Sequence, residues 1–472
     1  MKTFLKYKIL LLGVMAGFII VSCADKLELN PRQSIGDNVA LTDYSGVQNA
    51  LIGAWDALQD PDFLGSNYII NSECMAGNIF WGGSFTNFRD IAEKRILPNN
   101  ASTQPYWMQG YQAIDRANKV IDVVKANTIT DGIFLENRDR ILGNALVIRA
   151  ISHFEMVRVY GQPPGYTSDN SHPGIPIITK GTYIPADAEK VNRATVAQVY
   201  AQIIEDLEEA IDLLPASAPK PFPSVVTAKA IMARVYLEIR NWEKAAQLAL
   251  EVMESNAFAL NDHPATFYRS AYSSESILEI AHTLSDNPRN TRADLANYWS
   301  IDERKDITIP LRVIEMYEEN DLRSELFMVE VKDTVTTWFS VRYIHQADNL
   351  PYLRYAEILL IRAEALAMLN PGQVPQEAVD LIGEIRERAK ASHTIPETAD
   401  ELFEAIMLER EKELMHEGSL LFDLKRWRRD DVRFSRSPRN YEFISWDDPR
   451  MIYPIPQREM DVNPNLDQNP GY

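Results

Sequence analysis

The chain is poor in cysteine, histidine and basic residues. Only Cys23 and Cys74 occur in 472 residues, which excludes a small-domain disulfide scaffold and leaves stability to an apolar core. The 48 Lys and Arg are outnumbered by 67 Asp and Glu, for a formal net charge of −19. So acidic a body repels nucleic acid and anionic lipid headgroups and favours a neutral or cationic ligand. The one basic run, Lys425–Arg439, holds seven Lys and Arg but is broken by Asp430 and Asp431; no nucleic-acid partner is expected. The seven histidines are scattered, with no two at metal-ligand spacing, and His416-Glu417 lacks the second histidine that a zinc-protease helix needs. The sequence has no G-x-S-x-G, no phosphate-cradling G-x-x-x-x-G-K-[ST] and no twelve-residue calcium loop. The reading is therefore of a non-enzymatic protein with no cofactor or catalytic metal, structural calcium being left open. A glycosidase-type carboxylate pair among the many acids is the enzymatic alternative.

Long apolar runs are also scarce. The start MKTFLKYK is basic, and the run from Ile9 to Val21 is too short for a bilayer span but suits a secretory signal. Small or aliphatic residues lead into Cys23, and the chain turns polar at once (ADKLELNPRQ). This resembles the bacterial lipobox, in which the cysteine is acylated and begins the mature chain. Residues 1–22 are read as the signal peptide and Cys23 as the lipidation site. Cys74 would then be a lone thiol, expected to be buried. No later stretch approaches the ~18 uninterrupted apolar residues of a membrane span.

What remains is helical periodicity. Ile203, Leu207, Ala210, Ile211 and Leu214 step by three or four, with Pro215 behind them. Ala228, Ile231, Val235 and Ile239 form a stripe; after Arg240 and Asn241 a second follows from Trp242 through Ala245, Ala246, Ala249 and Val252. This pair resembles a tetratricopeptide repeat, whose small residues let two helices approach closely. Weaker copies are read at Pro351–Ala389 and at Tyr106–Ala126 with Arg138–Tyr160. The fold expected is mainly α, a tetratricopeptide-like helical-repeat scaffold with long irregular insertions and little β structure. It forms a single domain over 23–472, with helical pairs at about 104–160, 195–255 and 351–427. Insertions at about 63–105 and 256–350 are read as irregular, aromatic-bearing loops, the second with β-prone runs (SILEIAHTL, TVTTWFSVRYI). Glu409, Arg410, Glu413 and Glu417 stand at spacings that give intrahelical ion pairs. Residues 440–472 read as a strap, since Pro454, Pro456, Pro464 and Pro470 favour an irregular path and Asn463, Asn465 and Asn469 can cap turns.

The C-terminal hundred residues carry a specific resemblance. MLEREKELMHEGSLLFDLKRW, from Met407 to Trp427, is similar to the SusD/RagB signature, through Glu409, Arg410, Glu413, Leu414, Glu417, Gly418, Phe422, Asp423, Leu424, Arg426 and Trp427. Ser419, Leu420 and Leu421 depart from it. The ending YPIPQREMDVNPNLDQNPGY matches the family's closing pattern, and LELNPRQSI resembles its opening.

The resemblance implies a cell-surface lipoprotein of the outer membrane, held in its lipid by acylated Cys23 and facing outward. It would capture a glycan, or in the alternative a peptide, and pass it to a TonB-dependent transporter of the SusC type. Sugar rings present apolar C–H faces to aromatic planes, and their hydroxyls need amides or charged groups nearby. The loop AGNIFWGGSFTNFRD supplies Trp81 and Phe85 beside Asn78, Asn87, Arg89 and Asp90, with Gly82 and Gly83 allowing close approach. A second cluster supplies Arg292, Tyr298 and Trp299, and Trp338 lies in a third stretch. These ten residues are the candidate ligand contacts. Trp242, at a hairpin turn, is expected to be structural.

Overall fold

The computed structural model describes residues 41–287, 295–300, 302–392, 395–429, 432–437 and 440–472. In the N-terminal half the helices are α1 (Tyr44–Leu58), α2 (Asn67–Ala76), α3 (Thr86–Ala92), α4 (Thr103–Ala126), α5 (Gly132–Tyr160), α6 (Val196–Leu213), α7 (Val225–Glu238) and α8 (Trp242–Glu254). Strand β1 (Phe80–Trp81) stands between α2 and α3. Then come β2 (Ser276–Ile280), α9 (Leu295–Trp299), β3 (Ile307–Thr308), α10 (Leu311–Ile314), β4 (Phe327–Lys332), β5 (Val335–Ser340) and β6 (Leu350–Arg354). The chain closes with α11 (Tyr355–Leu369), α12 (Gln376–Arg388), α13 (Ala399–Glu413), α14 (Leu420–Trp427), β7 (Val432–Ser437), β8 (Asn440–Ile444) and α15 (Gln457–Val462). The protein is mainly helical, and among the described residues its strands form four two-stranded antiparallel ribbons: β1–β3, β2–β6, β4–β5 and β7–β8.

The helices pack as antiparallel hairpins, α4 on α5, α7 on α8 and α11 on α12, consistent with the tetratricopeptide-like expectation. Local sequence explains their ends. The Thr195 and Gln198 side chains cap α6 reciprocally, as Thr398 and Glu401 do for α13. Between α7 and α8, Arg240 takes a left-handed backbone (φ 60°) and the Asn241 side chain accepts from Lys244 N at 3.2 Å. Ala228, Ala233, Ala245 and Ala249 are fully buried at that crossing, and Trp242 lies half-buried against it. A main apolar core runs from Val47 to Leu466, and a smaller one fills the space between α11, α12 and α13.

Two readings of the sequence need correction. The stretch 63–105 is not irregular throughout: α2 within it is buried at every residue, including the Cys74 thiol. Its pattern is unreadable because Asn67, Asn71, Ser72 and Glu73 are buried along with its apolar residues, so polarity does not mark an outer face. Glu409, Glu413 and Glu417 also do not pair along their own helix, whereas Asp423 meets Arg426 three residues on at 2.8 Å. Arg323 donates to Glu409 at 2.5 Å and to Glu413 at 3.0 Å, and Arg354 reaches Glu275 and Glu413, both at 2.6 Å. Arg354 Nε also meets both oxygens of Glu417 at 3.0 Å, while Arg410 meets Asp423 at 3.1 Å and Arg234 meets Glu357 at 2.5 Å. All these residues are buried except Glu417, whose side chain is 9% exposed, so the signature is a cross-element charge network that gathers α7, β6, α11, α13 and α14.

The closing segment runs over the N-terminal helices. Tyr453 N donates to Val159 O at 2.7 Å, and the Asn469 amide donates to Tyr160 O and Tyr453 O at 2.9 and 2.7 Å. Asn463 accepts from Asn465 N at 3.1 Å and reaches Val191 O at 3.0 Å. The short α15 interrupts the strap after Pro456.

Candidate functional site

Helix α2 stops at Gly77, whose left-handed backbone (φ 75°) turns the chain into β1. There Phe80 and Trp81 pair with Thr308 and Ile307, and Gly82 N donates to Asp306 O at 2.7 Å. A side chain on Gly83 would strike the Asp306 carboxyl and the Trp81 ring within 2.8 Å, so this crossing needs glycine. One step on, Ile309 N donates to Trp338 O at 2.8 Å, bridging to β5. Three stretches far apart in sequence thus meet on one small β frame.

The side chains divide sharply. Trp81 is buried among Phe88 (ring centroids 4.4 Å apart) and Tyr298 (5.4 Å), and its Nε1–H donates to Phe85 O at 3.0 Å. Trp299 is wholly enclosed against His416 (4.6 Å) and Tyr343 (6.4 Å). Asn78 and Tyr298 are buried as well. These four were expected at a ligand surface; here they form an inner wall of buried side chains, because large rings in a loop bury their own area. Phe85 does face solvent, at 42% exposure, with the Arg304 guanidinium 4.8 Å above its ring. Arg89 is exposed and donates to Gly83 O at 3.0 Å; Asn87 and Asp90 are half-buried beside it. Trp338 is half-buried and pairs across the ribbon with exposed Val329. Arg292 lies outside the described residues, as does Cys23.

Arg304, which the sequence reading missed, ties the surface together: its Nε donates to Asp306 at 2.5 Å while its plane covers Phe85 and, at 5.4 Å, Tyr298. Nothing in the local sequence DERKD distinguishes it from an ordinary solvated charge. Behind the frame a cavity of about 60 Å³ is lined by Cys74, Ile79, Phe80, Trp81 and Arg89 among others. Burial pushes the Cys74 thiol far above its ordinary range, so it is no nucleophile as placed. No group of three or more His, Cys, Asp or Glu that could hold a metal occurs among the described residues. An exposed ring, a stacked guanidinium, an amide and a nearby tryptophan suit non-covalent recognition of a ligand with an apolar face and polar rim.

Residues 317–472 match the family model described as the SusD family, and residues 47–237 match one described as starch-binding, associating with the outer membrane. SusD-like protein P38 of Formosa agariphila is 24% identical, with 100% of each chain aligned. A SusD-like protein of Bacteroides ovatus is 26% identical over 76% of this chain and 60% of its own. Among solved structures, a SusD superfamily protein of Bacteroides vulgatus superposes with a TM-score of 0.78 at 25% identity, covering 90% of this chain and 98% of that one. A laminarin-binding SusD-like protein shares the fold at a TM-score of 0.74 and 21% identity, over 91% and 100% of the two chains. No helix among the described residues is long and apolar enough to cross a membrane.

Proposed function

The chain belongs to the SusD/RagB family, and from that premise we propose that it is a non-enzymatic, surface-exposed carbohydrate-binding lipoprotein. It is anchored in the outer membrane through acylated Cys23 and passes its oligosaccharide to a SusC-type TonB-dependent transporter. The family models and the relatives' descriptions as SusD-like, starch-binding and laminarin-binding proteins support the glycan. The observation that carries the reading is the convergence of β1, β3 and β5 under an exposed Phe85–Arg304 stack with Trp338 on the same frame. A sugar ring lying on Phe85 covers its apolar face, while Asn87 and Arg89 stand where hydroxyls need partners. No bond has to be made or broken.

The test is calorimetric titration of the purified mature protein with starch and laminarin oligosaccharides, with product analysis of the same mixtures. Saturable binding without release of shorter sugars is expected, and Phe85→Ala should weaken it with the melting temperature unchanged. Turnover lost on replacing a single carboxylate would refute the non-enzymatic reading. Delivery is tested by copurification: the transporter encoded beside the protein should be retained by the tagged chain.

A further inference from the structure

The signature network encloses a space that none of its members fills. A cavity of about 20 Å³ lies among four arginines and four carboxylates, with Tyr68, Leu237 and Ser419 also in its wall. Two of the arginines in its wall carry an N–H that meets no acceptor among the described residues. Arg158 Nη1 donates to both oxygens of Glu155, at 3.1 and 3.0 Å, and to the Tyr68 hydroxyl at 3.4 Å. Its Nε is unpartnered, with Glu238 Oε2 4.0 Å away. Arg410 holds Asp423 through Nε and Nη2, both at 3.1 Å, which leaves its Nη1 unpartnered. The two side chains are only 4% and 2% exposed, so bulk water does not reach these groups.

A buried guanidinium N–H without an acceptor is unfavourable, and native interiors supply one. Apolar cavities stay dry, whereas a polar one needs only ~10–15 Å³ to hold a water with partners to bond. The space is too small for a polyatomic ion such as sulfate. A cation is disfavoured because both open groups are positively charged donors. We infer that this cavity is a binding site for one small hydrogen-bond acceptor, a water molecule or a halide ion, that bridges Arg158 Nε–H and Arg410 Nη1–H. The occupant ties α5, from the N-terminal half of the chain, to α13 in the signature. It also completes donors that the carboxylates leave open.

Crystals of the mature chain grown in sodium bromide, measured at the bromine edge and at atomic resolution, test the site directly. An anomalous peak between the two nitrogens assigns a halide; an oxygen-sized peak without anomalous signal assigns water. Either supports the site, and empty density overturns it. Melting in chloride against gluconate at equal ionic strength separates the sources, since a halide site is stabilised by chloride and a water site is indifferent. Leu237→Phe gives an independent reading by pushing a larger side chain into the space. A bridged cavity predicts a melting temperature lower by several degrees, because the displaced molecule leaves two donors bare. A dry cavity predicts a rise, which would contradict the proposal. If the variant does not fold, the diffraction result decides.

Discussion

Trp299 and Phe85 are both aromatic residues in loop-rich stretches, yet the fold gives them opposite tasks. Trp299 is fully enclosed against His416, so Trp299→Ala should cost about 3–5 kcal/mol of stability through the cavity it leaves. Thermal unfolding measures that loss, and any weakening of ligand binding should follow only from the loosened wall. Phe85→Ala should leave the melting temperature unchanged and remove ~1–3 kcal/mol of ligand affinity, by analogy with nucleobases stacked on aromatic rings. Titration reads this as roughly a fivefold to 150-fold change. Glu73 offers a third single-residue prediction. Burial pushes its carboxyl up to about 7, with Gly418 N donating to Oε1 at 2.8 Å and Asn78, Arg342 and Glu411 around it. The folded state therefore holds a proton that the unfolded chain releases near its ordinary value of 4.5. That contribution to stability is present at low pH and is lost as pH rises from about 4.5 to 7. Buried neutral His153 and His282 act in the opposite sense over the acidic part of that window. The quantity to measure is thus the difference between wild type and Glu73→Gln. The variant should lack a loss on the order of 3 kcal/mol between pH 4.5 and 7; identical pH profiles would show that folding leaves the Glu73 carboxyl at its ordinary value.

At the level of elements, the signature works as a clamp. Arg323 is 1% exposed and holds Asp321, Glu409 and Glu413 at 2.8, 2.5 and 3.0 Å. Removing it in Arg323→Ala leaves buried Asp321 without a cation and takes one partner from Glu409 and Glu413, which keep Arg386 and Arg354, and a loss of about 3–5 kcal/mol is expected. The exposed pair Lys125–Glu209, at 2.8 Å but 46% and 36% exposed, is the contrast: Lys125→Ala should change stability by less than ~1 kcal/mol. Equal melting shifts for the two variants would mean that the network is no more consequential than a surface contact. The four acids and arginines of the signature were legible as residue types. Their partners were not, because Arg323, Arg354 and Glu275 come from stretches with no spacing that announces them. The hairpin α7–α8 was legible almost to its turn, since α8 has one apolar and one polar face and α7, though buried at most of its residues, keeps apolar steps of three and four. Helix α2 was not, being buried all round.

For the whole molecule, the proposed membrane attachment rests on one residue outside the described structure, Cys23. Cys23→Ala should move the protein from the outer-membrane fraction to the soluble one, as several acyl chains are what hold a lipoprotein stably; unchanged fractionation would place the anchor elsewhere. Sequence alone determined the family, the mainly helical class and the absence of recognised catalytic motifs. Those properties are written in local patterns: a short apolar run before Cys23, helical periodicity, and the spaced residues of 407–427 and 453–472. Tertiary structure alone decided which aromatics face solvent. Trp81, Phe85, Trp299 and Trp338 look alike along the chain, and only the β1–β3–β5 crossing turns Phe85 outward and seals Trp299 against His416. It also supplied Arg304, whose place over Phe85 depends on a strand pairing between residues more than two hundred positions apart. Exposure is a property of the neighbours that arrive from elsewhere in the chain, and no local pattern records them.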